Sequence, residues 1–236
     1  MNTKYVIALR FNSDTEVAGR CKVDNLSKEW ISERIAIFNR YTRQCLEKQS
    51  NQDFIAVLSC QEQSMEYIKE ELKKYKPLNA NIIFTSKKQE VIENYIKDAD
   101  KVYIAALDSD DVYKTGVVQY LHDYKEKPNE HLIIFNRGYM YNGINSVIDD
   151  YECVSPPYYV QIFNVKDYLT TYRYYKMMRH FYMQRLEHTC IDVPMFILIL
   201  HNSNSFQYYK QEHPKLFGTE QILDNWKEIL SSFGLN

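Results

Sequence analysis

The sequence predicts an α/β fold of the Rossmann type, in which helices flank a mostly parallel sheet. In the first two-thirds of the chain, short apolar runs alternate with segments of helical periodicity, which is typical of strands joined by helical crossovers. The run at residues 102–107 is apolar throughout, as expected for a strand covered on both faces. Three carboxylates follow it at Asp108, Asp110 and Asp111, at the end of the strand where ligands collect in open α/β sheets.

The first elements follow from the spacing of apolar side chains. Residues 5–11 predict the first strand, and residues 54–59 predict the second. Between them, residues 28–48 place apolar side chains at helical intervals, which predicts one long helix. The side chains on that helical face are Trp30, Ile31, Ile35, Phe38, Tyr41 and Cys45.

The same alternation continues through three more strands. Residues 65–75 predict a helix that stops before Pro77, and residues 81–85 predict the third strand. A charged helix at residues 89–97 precedes the strand that ends at Asp108. The last two elements of this part are a helix reaching about residue 124 and a short strand at residues 131–136.

The last third of the chain departs from this rhythm, and we predict that it is irregular and helical. Residues 139–157 read as loop because they combine Asn-Gly, an acidic run and two adjacent prolines. The elements predicted beyond them are a strand at 158–164, a helix at 169–186, an apolar run at 193–200 and a helix at 220–233. With no repeat and no low-complexity linker, residues 1–236 are predicted to form a single domain.

The glycine content excludes two large classes of nucleotide-binding enzyme. With only six glycines, the sequence contains neither a Gly-x-Gly-x-x-Gly fingerprint nor a Walker loop, so dinucleotide oxidoreductases and P-loop enzymes are excluded. The sequence also lacks a Gly-x-Ser-x-Gly elbow and any Cys and His spacing typical of a zinc site. A nucleotide bound here must therefore be held by side chains and a metal ion.

Composition restricts the partners and the compartment. A formal net charge of −2 gives no general attraction for nucleic acid. Five cysteines, an odd number with no Cys-x-x-Cys pair, are typical of reduced thiols. The N-terminal residues are too polar for a signal peptide, and the apolar run at 193–200 is too short for a transmembrane segment. We therefore expect a cytoplasmic protein.

The sequence Asp108-Ser109-Asp110-Asp111 is the strongest functional signal. Three carboxylates this close repel one another unless a cation lies between them. Hard oxygen ligands at this spacing suit Mg²⁺ or Mn²⁺, which in turn suit the pyrophosphate of a nucleotide. Alternatively, Asp110 or Asp111 caps the helix that follows, although a cap needs only one acid.

Several short motifs occur in the same order as in one known family. They are Arg10-Phe11 after the first strand; Trp30, Arg34 and Phe38 on the first helix; Thr42, Cys45, Gln49 and Phe54 before the second strand; Ala106-Leu107-Asp108-Ser109-Asp110-Asp111; and His201-Asn202-Ser203-Asn204. Over roughly residues 5–205, the chain resembles GT-A-fold glycosyltransferases and, within that class, the family labelled rhamnosyltransferases. It departs from that family at Ala106, where Arg is usual, and at Phe196, where Trp is frequent.

The resemblance implies a GT-A-like fold in which residues 1–138 bind a nucleoside diphosphate sugar and residues 139–236 form the acceptor side. It also implies that Asp108 contacts the ribose or the metal, and that Asp110 and Asp111 hold Mn²⁺ or Mg²⁺. In such enzymes the ion stabilises charge on the departing nucleoside diphosphate.

Three further residues are candidates for the site. Arg10 ends the first strand, where its guanidinium can pair with phosphate or stack on a base, or else form a surface ion pair. Arg34 shares a helical face with Trp30 and Phe38, and is either a ligand of the nucleotide or a structural arginine. The resemblance makes His201 a metal or pyrophosphate ligand; the alternative is a buried histidine bonded to backbone.

The sequence determines the catalytic base least well. An inverting transfer needs a carboxylate that deprotonates the acceptor hydroxyl, and position favours Asp150 or Asp192. Tyrosines and basic residues within 168–185 could meet a lipid-linked phosphate or a membrane surface, although a core stripe with a solvated basic face is the alternative.

The predicted activity is transfer of a sugar from a nucleoside diphosphate sugar to a hydroxyl of a glycan or lipid-linked acceptor, with metal dependence. A metal-dependent nucleotidyl- or phosphoryltransferase would use the same acids but would turn over a triphosphate. A non-catalytic module that binds nucleotide sugars or glycans is a third alternative. Pyrophosphate release would identify the second class, and binding without turnover the third.

Overall fold

The structure is a computed structural model that describes residues 2–13, 25–153, 158–170, 185–202 and 210–235. The predicted α/β class is confirmed, because a large, mostly parallel sheet is flanked by helices.

The strands are β1 Thr3–Arg10, β2 Ile55–Ser59, β3 Ile82–Thr85, β4 Lys101–Asp108, β5 Val112–Tyr113, β6 Leu132–Phe135, β7 Arg137–Asn142, β8 Val147–Glu152, β9 Tyr159–Asn164, β10 His188–Ile191 and β11 Phe196–Leu200. The α-helices are α1 Lys28–Arg40, α2 Thr42–Glu47, α3 Met65–Leu72, α4 Lys88–Ile96, α5 Val117–Asp123, α6 Val165–Leu169 and α7 Trp226–Ser232, and 3-10 turns lie at Glu62–Ser64 and Pro214–Phe217.

The large sheet has the strand order β10-β6-β9-β4-β1-β2-β3, and only β9 runs antiparallel to its neighbours. The carboxyl ends of β1, β2, β4, β6 and β10 therefore lie along one edge. In the register of β1 and β4, Arg10 lies directly beside Asp108. This pairing brings the end of the first strand to the acidic sequence that follows the fourth.

Both faces of the large sheet are covered, which explains the apolar run of β4. One face packs on α1 and α3, with Leu107 of β4 in the same core as Ile35 of α1. The other face packs on α4 and α6, with Val102 of β4 in the same core as Ile92 of α4. Burial on both faces removes the polar alternation that a half-exposed strand shows.

The helix predicted at residues 28–48 is in fact two helices. Ser27 caps α1 by accepting a hydrogen bond from the backbone N–H of Trp30. The helix ends at Tyr41, whose φ of −122° and ψ of −74° are not helical, and α2 begins at the next residue. The Tyr41 ring packs edge-on against Tyr141 and its hydroxyl approaches Gly143, so contacts distant in sequence set the break that periodicity does not reveal.

The C-terminal third contains more strand than predicted, which corrects the expectation of a loop at residues 139–157. Strands β7 and β8 form a hairpin through residues 143–146, in which Ser146 has a φ of 62°. They join β5 and β11 in a second sheet of order β5-β11-β7-β8. Gly138 is needed for this contact, since a Cβ there would lie 2.7 Å from ring carbons of Phe196.

The remaining C-terminal predictions have mixed outcomes. The final helix is shorter than predicted, because α7 covers Trp226–Ser232 only. Most of the helix predicted at 169–186 lies outside the described residues. Strands β9 and β10 belong to the large sheet although they follow residue 138, so the two predicted parts of the domain share one sheet. None of the helices within the described ranges is long and apolar enough to cross a membrane.

Candidate active site

Four predicted site residues meet at the carboxyl edge of the large sheet. Asp108 ends β4, and the short segment after it carries Asp110 into contact with two other elements. Arg34 of α1 contacts Asp110, and so does His201, the residue that follows β11. Asp110 and His201 are 91 positions apart in the sequence, and Arg34 is farther still from His201, yet all three side chains meet here.

Asp108 and Arg10 form an exposed ion pair at this edge. Arg10 Nη2 lies 2.9 Å from Asp108 Oδ1, and the two side chains are 59% and 32% exposed. The guanidinium contacts Oδ1 through both Nε and Nη2, so it bonds to only one of the two carboxylate oxygens. Both groups are therefore accessible from solvent at the end of the sheet, as a ligand of this edge requires.

Asp110 lies deeper and has two partners on a single oxygen. Arg34 Nη1 donates to Asp110 Oδ2 over 2.8 Å, and His201 Nε2 lies 2.9 Å from the same oxygen. Burial by itself would raise the pKa of Asp110, but the Arg34 charge and then His201 outweigh it and hold that pKa below its ordinary value. Arg34 also donates from Nε to Ser109 Oγ, which holds the segment in place.

Asp111 is fully enclosed, and protein donors use both of its carboxylate oxygens. The backbone N–H of Ile199 donates to Oδ1 over 2.8 Å, and the Tyr158 hydroxyl donates to Oδ2 over 2.7 Å. Burial, followed by the neighbouring carboxylates of Asp110 and Asp108, raises the pKa of Asp111 well above its ordinary value. These contacts hold the Asp111 carboxylate within the protein, and its role as a metal ligand stays a prediction.

Two residues of this neighbourhood had no predicted role. Tyr158, the residue before β9, is fully buried, and its ring stacks on Phe196 at a centroid distance of 3.8 Å. Thr42 donates from Oγ1 to the backbone carbonyl of Asp111 over 2.8 Å. Thr42 is one of the motif residues on which the resemblance to the glycosyltransferase family rests. That resemblance is the only feature of the sequence that indicates a role for Thr42. Tyr158 has no such signal beyond its position after two prolines.

The two candidate bases occupy different positions. Asp150 pairs with Tyr139 across the second sheet, and the Tyr139 ring packs on Phe233. Because side chains alternate along a strand, Asp150 lies on the opposite face of β8 from Tyr151, whose ring packs on Phe196. Asp150 is exposed, and the hydrogen-bond partners of the Asp110 and Asp111 side chains are Arg34, His201, Tyr158 and Ile199.

Asp192 lies at the correct edge. It follows β10, which runs parallel to β6, and Asn136 Nδ2 donates to its carboxylate over 3.4 Å. The strand order places β10 three positions from β4, which corresponds to about 14 Å at the usual spacing of strands. Asp192 is exposed, so its carboxylate is available to solvent.

Asp110 and His201 have the spacing of two ligands of a divalent cation. His201 Nε2 and Asp110 Oδ2 lie 2.9 Å apart. Two ligands at right angles on an ion with bonds of about 2.1 Å lie about 3.0 Å apart, so these two atoms fit adjacent positions. Within the described ranges there is no group of three or more His, Cys, Asp or Glu side chains arranged to hold a metal ion. Magnesium sites that include substrate phosphates need only one or two carboxylates, so the residues present fit such an ion.

Two predicted features fall partly or wholly outside the described residues. Tyr168 is buried against Phe163, in agreement with a core role, but the remaining tyrosines of its stripe and the basic residues of 173–179 are not described. Asn204 of the His-x-x-Asn motif is also outside. The proposed contact with a membrane surface therefore stays a prediction.

Comparisons with known proteins give structural neighbours only. No family model matches the chain, and no curated protein matches it. A solved structure of Staphylococcus aureus TarS, residues 1–349, is similar at 13% identity and a TM-score of 0.43, covering 98% of this chain and 70% of that one. A protein described as a nucleotide-diphospho-sugar transferase from Desulfovibrio desulfuricans is similar at 12% identity and a TM-score of 0.39, with 94% and 99% covered. A cytidylyltransferase from Leptospira borgpetersenii is similar at 11% identity and a TM-score of 0.35, also with 94% and 99% covered.

Proposed function

We propose that this protein is a metal-dependent glycosyltransferase that moves a sugar from a nucleoside diphosphate sugar to a hydroxyl of a glycan or lipid-linked acceptor. The observation that carries the proposal is the cluster of Asp108, Asp110, Arg34 and His201 at the carboxyl edge of a parallel sheet. Ligands of open α/β folds bind at this edge. The acids of this cluster suit a hard cation, and the exposed guanidinium of Arg10 beside Asp108 suits a diphosphate.

The proposed roles follow from exposure and contacts. Asp110 and His201 hold Mn²⁺ or Mg²⁺, with Asp108 as the neighbouring acid, and the ion supplies charge stabilisation to the leaving nucleoside diphosphate. Neutral imidazole together with carboxylate oxygen favours Mn²⁺ over Mg²⁺. Arg34 keeps Asp110 ionised and oriented, while exposed Arg10 is placed to meet the diphosphate or the base.

We propose Asp192 as the base that accepts the proton of the acceptor hydroxyl. It is exposed at the same edge of the large sheet as Asp108, whereas Asp150 belongs to β8 of the second sheet. Asn136 holds the carboxylate of Asp192 through its side-chain amide. The proposed base therefore lies at the β10 end of this edge, and the donor diphosphate binds at the β4 end.

The first test is thermal stabilisation by UDP-, GDP-, dTDP- and CMP-sugars, with and without Mn²⁺. A ligand at about 100 times its Kd adds about 2.7 kcal/mol to the free energy of unfolding, which raises Tm by roughly 5–10 °C for a chain of this size. We expect one nucleotide family to give this shift and to require Mn²⁺. No shift with any member of the panel would overturn the proposed donor site.

A pair of variants locates the binding. Asp110→Ala is expected to abolish the metal-dependent shift, whereas Asp98→Ala is the matched control, because Asp98 is exposed at the opposite edge of the sheet. An unchanged shift in Asp110→Ala would contradict the site. Incubation with nucleoside triphosphates and a sugar phosphate distinguishes the nucleotidyltransferase alternative, since only that activity releases pyrophosphate. Donor binding without turnover on any acceptor would instead indicate a binding module.

A further inference from the structure

Asp111 joins four elements of the fold around the acidic segment. Its carboxylate accepts hydrogen bonds from Ile199 at the end of β11 and from Tyr158 before β9. Its backbone carbonyl accepts one from Thr42 of α2, and its backbone N–H donates to the carbonyl of Asp108 over 3.2 Å. Every polar group of this residue thus has a partner inside the protein.

The same contacts attach β11 to the acidic segment, in addition to its pairing with β5 and β7. Asp111 holds the backbone of Ile199, two residues before His201, while the ring of Tyr158 stacks on Phe196 at the start of the strand. Asp111 and Tyr158 are themselves hydrogen-bonded, so the strand is held at both ends by one connected pair. Sliding of β11 would need both contacts to break.

We infer that Asp111 is a positioning residue, which sets the His201 imidazole against Asp110 and is not itself a metal ligand. The two adjacent acids have different contacts with the end of β11. Asp110 contacts the side chain of His201, and Asp111 contacts the backbone of Ile199, two residues earlier. The distance between His201 Nε2 and Asp110 Oδ2 is 2.9 Å, and a shift of about 1 Å takes such a contact beyond hydrogen-bond range. The proposed cation site is therefore formed only while β11 is held in this register.

Asparagine distinguishes a positioning role from a ligand role at this residue. In Asp111→Asn the amide oxygen still accepts from the N–H of Ile199, and the amide nitrogen can donate to the Tyr158 oxygen. The anchor is preserved while the charge that a metal ligand needs is lost. Asp111→Ala removes the anchor as well.

The test measures Mn²⁺ binding alone, by the electron paramagnetic resonance signal of the free ion. We expect Asp111→Asn to bind Mn²⁺ within a few-fold of the wild type, and Asp111→Ala to bind about 10-fold or more weakly, as removal of an outer support typically does. Because Asp111 acts through His201, the double variant Asp111→Ala/His201→Ala should bind no more weakly than His201→Ala. Two results would overturn the inference: loss of binding in Asp111→Asn equal to that in Asp110→Ala, or single-variant losses that multiply in the double variant.

A second readout needs no metal and so separates this inference from the proposed function on which it rests. In metal-free protein, the ring ¹⁵N shift of His201 reports the contact of Nε2 with Asp110. That signal should change in Asp111→Ala towards its value in Asp110→Ala, and should stay unchanged in Asp111→Asn. If wild-type protein binds no Mn²⁺, the proposed metal site fails and the ¹⁵N comparison alone decides the role of Asp111.

A third variant covers the case in which Asp111→Ala does not fold. Tyr158→Phe removes only the hydroxyl that reaches Asp111 and keeps the ring stacked on Phe196. It should move the His201 signal in the same direction by a smaller amount. An unmoved signal in a folded Tyr158→Phe protein would count against the coupling.

Discussion

Replacing Arg34 by Met tests whether Asp110 depends on a buried ion pair. The two side chains are 16% and 10% exposed, and Nη1 lies 2.8 Å from the carboxylate oxygen. Unit charges about 4 Å apart attract by about 4 kcal/mol at an effective dielectric constant of about 20. Removing one partner of a buried pair typically costs about 3–5 kcal/mol, because the remaining charge is left in a poorly solvated place. Methionine keeps an unbranched side chain beside Trp30 and removes only the charge and the donors.

The matched control is Arg10→Met. That substitution breaks the same kind of pair at an exposed position, where the side chains are 59% and 32% exposed. Exposed pairs are worth about 0–1 kcal/mol, since water and salt screen them. Urea denaturation of metal-free protein at pH 7 should therefore show a much larger loss of unfolding free energy in Arg34→Met. In thermal unfolding, the Tm of Arg34→Met should fall by roughly 10 °C.

The dependence of the unfolding free energy on pH tests the same ion pair. In the wild type the pKa of Asp110 is held below its unfolded value of about 3.9. The contribution of this carboxylate to the unfolding free energy is therefore present above that pH, and it is lost as the pH falls through the folded-state pKa. Without Arg34, burial raises the pKa of Asp110, so the penalty in the variant fades as the carboxyl takes up a proton. The difference between wild type and Arg34→Met should thus be largest near pH 7 and narrow towards pH 4. An equal loss in Arg10→Met and Arg34→Met, or a difference that grows on acidification, would refute this reasoning.

Two further substitution and labelling experiments probe the core. Gly138→Ala should lower the unfolding free energy by about 1–3 kcal/mol in urea denaturation, because its methyl group would meet Phe196 of the adjacent strand; an unchanged midpoint would show that the sheet yields easily. Burial raises the pKa of the Cys45 and Cys60 thiols to about 12, so at pH 8 iodoacetamide should modify them only after unfolding, while exposed Cys190 reacts in the native protein. Peptide mass spectrometry reads the sites, and native labelling of Cys45 at the rate of Cys190 would contradict the burial.

Much of the large sheet could be predicted because its signals are local. The run at β4 is apolar throughout since both of its faces are covered, and this property is visible in the residues themselves. The break at Tyr41 and the hairpin of β7 and β8 were missed for the opposite reason. Both depend on contacts with residues distant in sequence, and neither changes the local hydrophobic pattern.

The candidate site divides in the same way. Asp108, Asp110 and Asp111 could be identified because three acids follow a buried strand, at the end where ligands bind in open α/β sheets, but their different roles could not. Asp111 finds its donors 47 positions away in Tyr158 and 88 positions away in Ile199. Asp150 and Asp192 were equivalent in sequence, and only the pairing of β8 in the second sheet and of β10 in the large sheet separates them.

By itself, the sequence determined the α/β class, the succession of the principal strands along the chain and the position of an acidic segment at a strand end, because these follow from periodicity and short-range spacing. The tertiary structure alone decided that Arg34 and His201 share one oxygen of Asp110, and that Asp111 is enclosed by protein donors. The physical reason is that hydrogen bonding and burial depend on which surfaces meet in the folded chain. Two adjacent buried carboxylates with the same chemistry can therefore have different partners: charged or titratable side chains for Asp110, and a hydroxyl and a backbone N–H for Asp111.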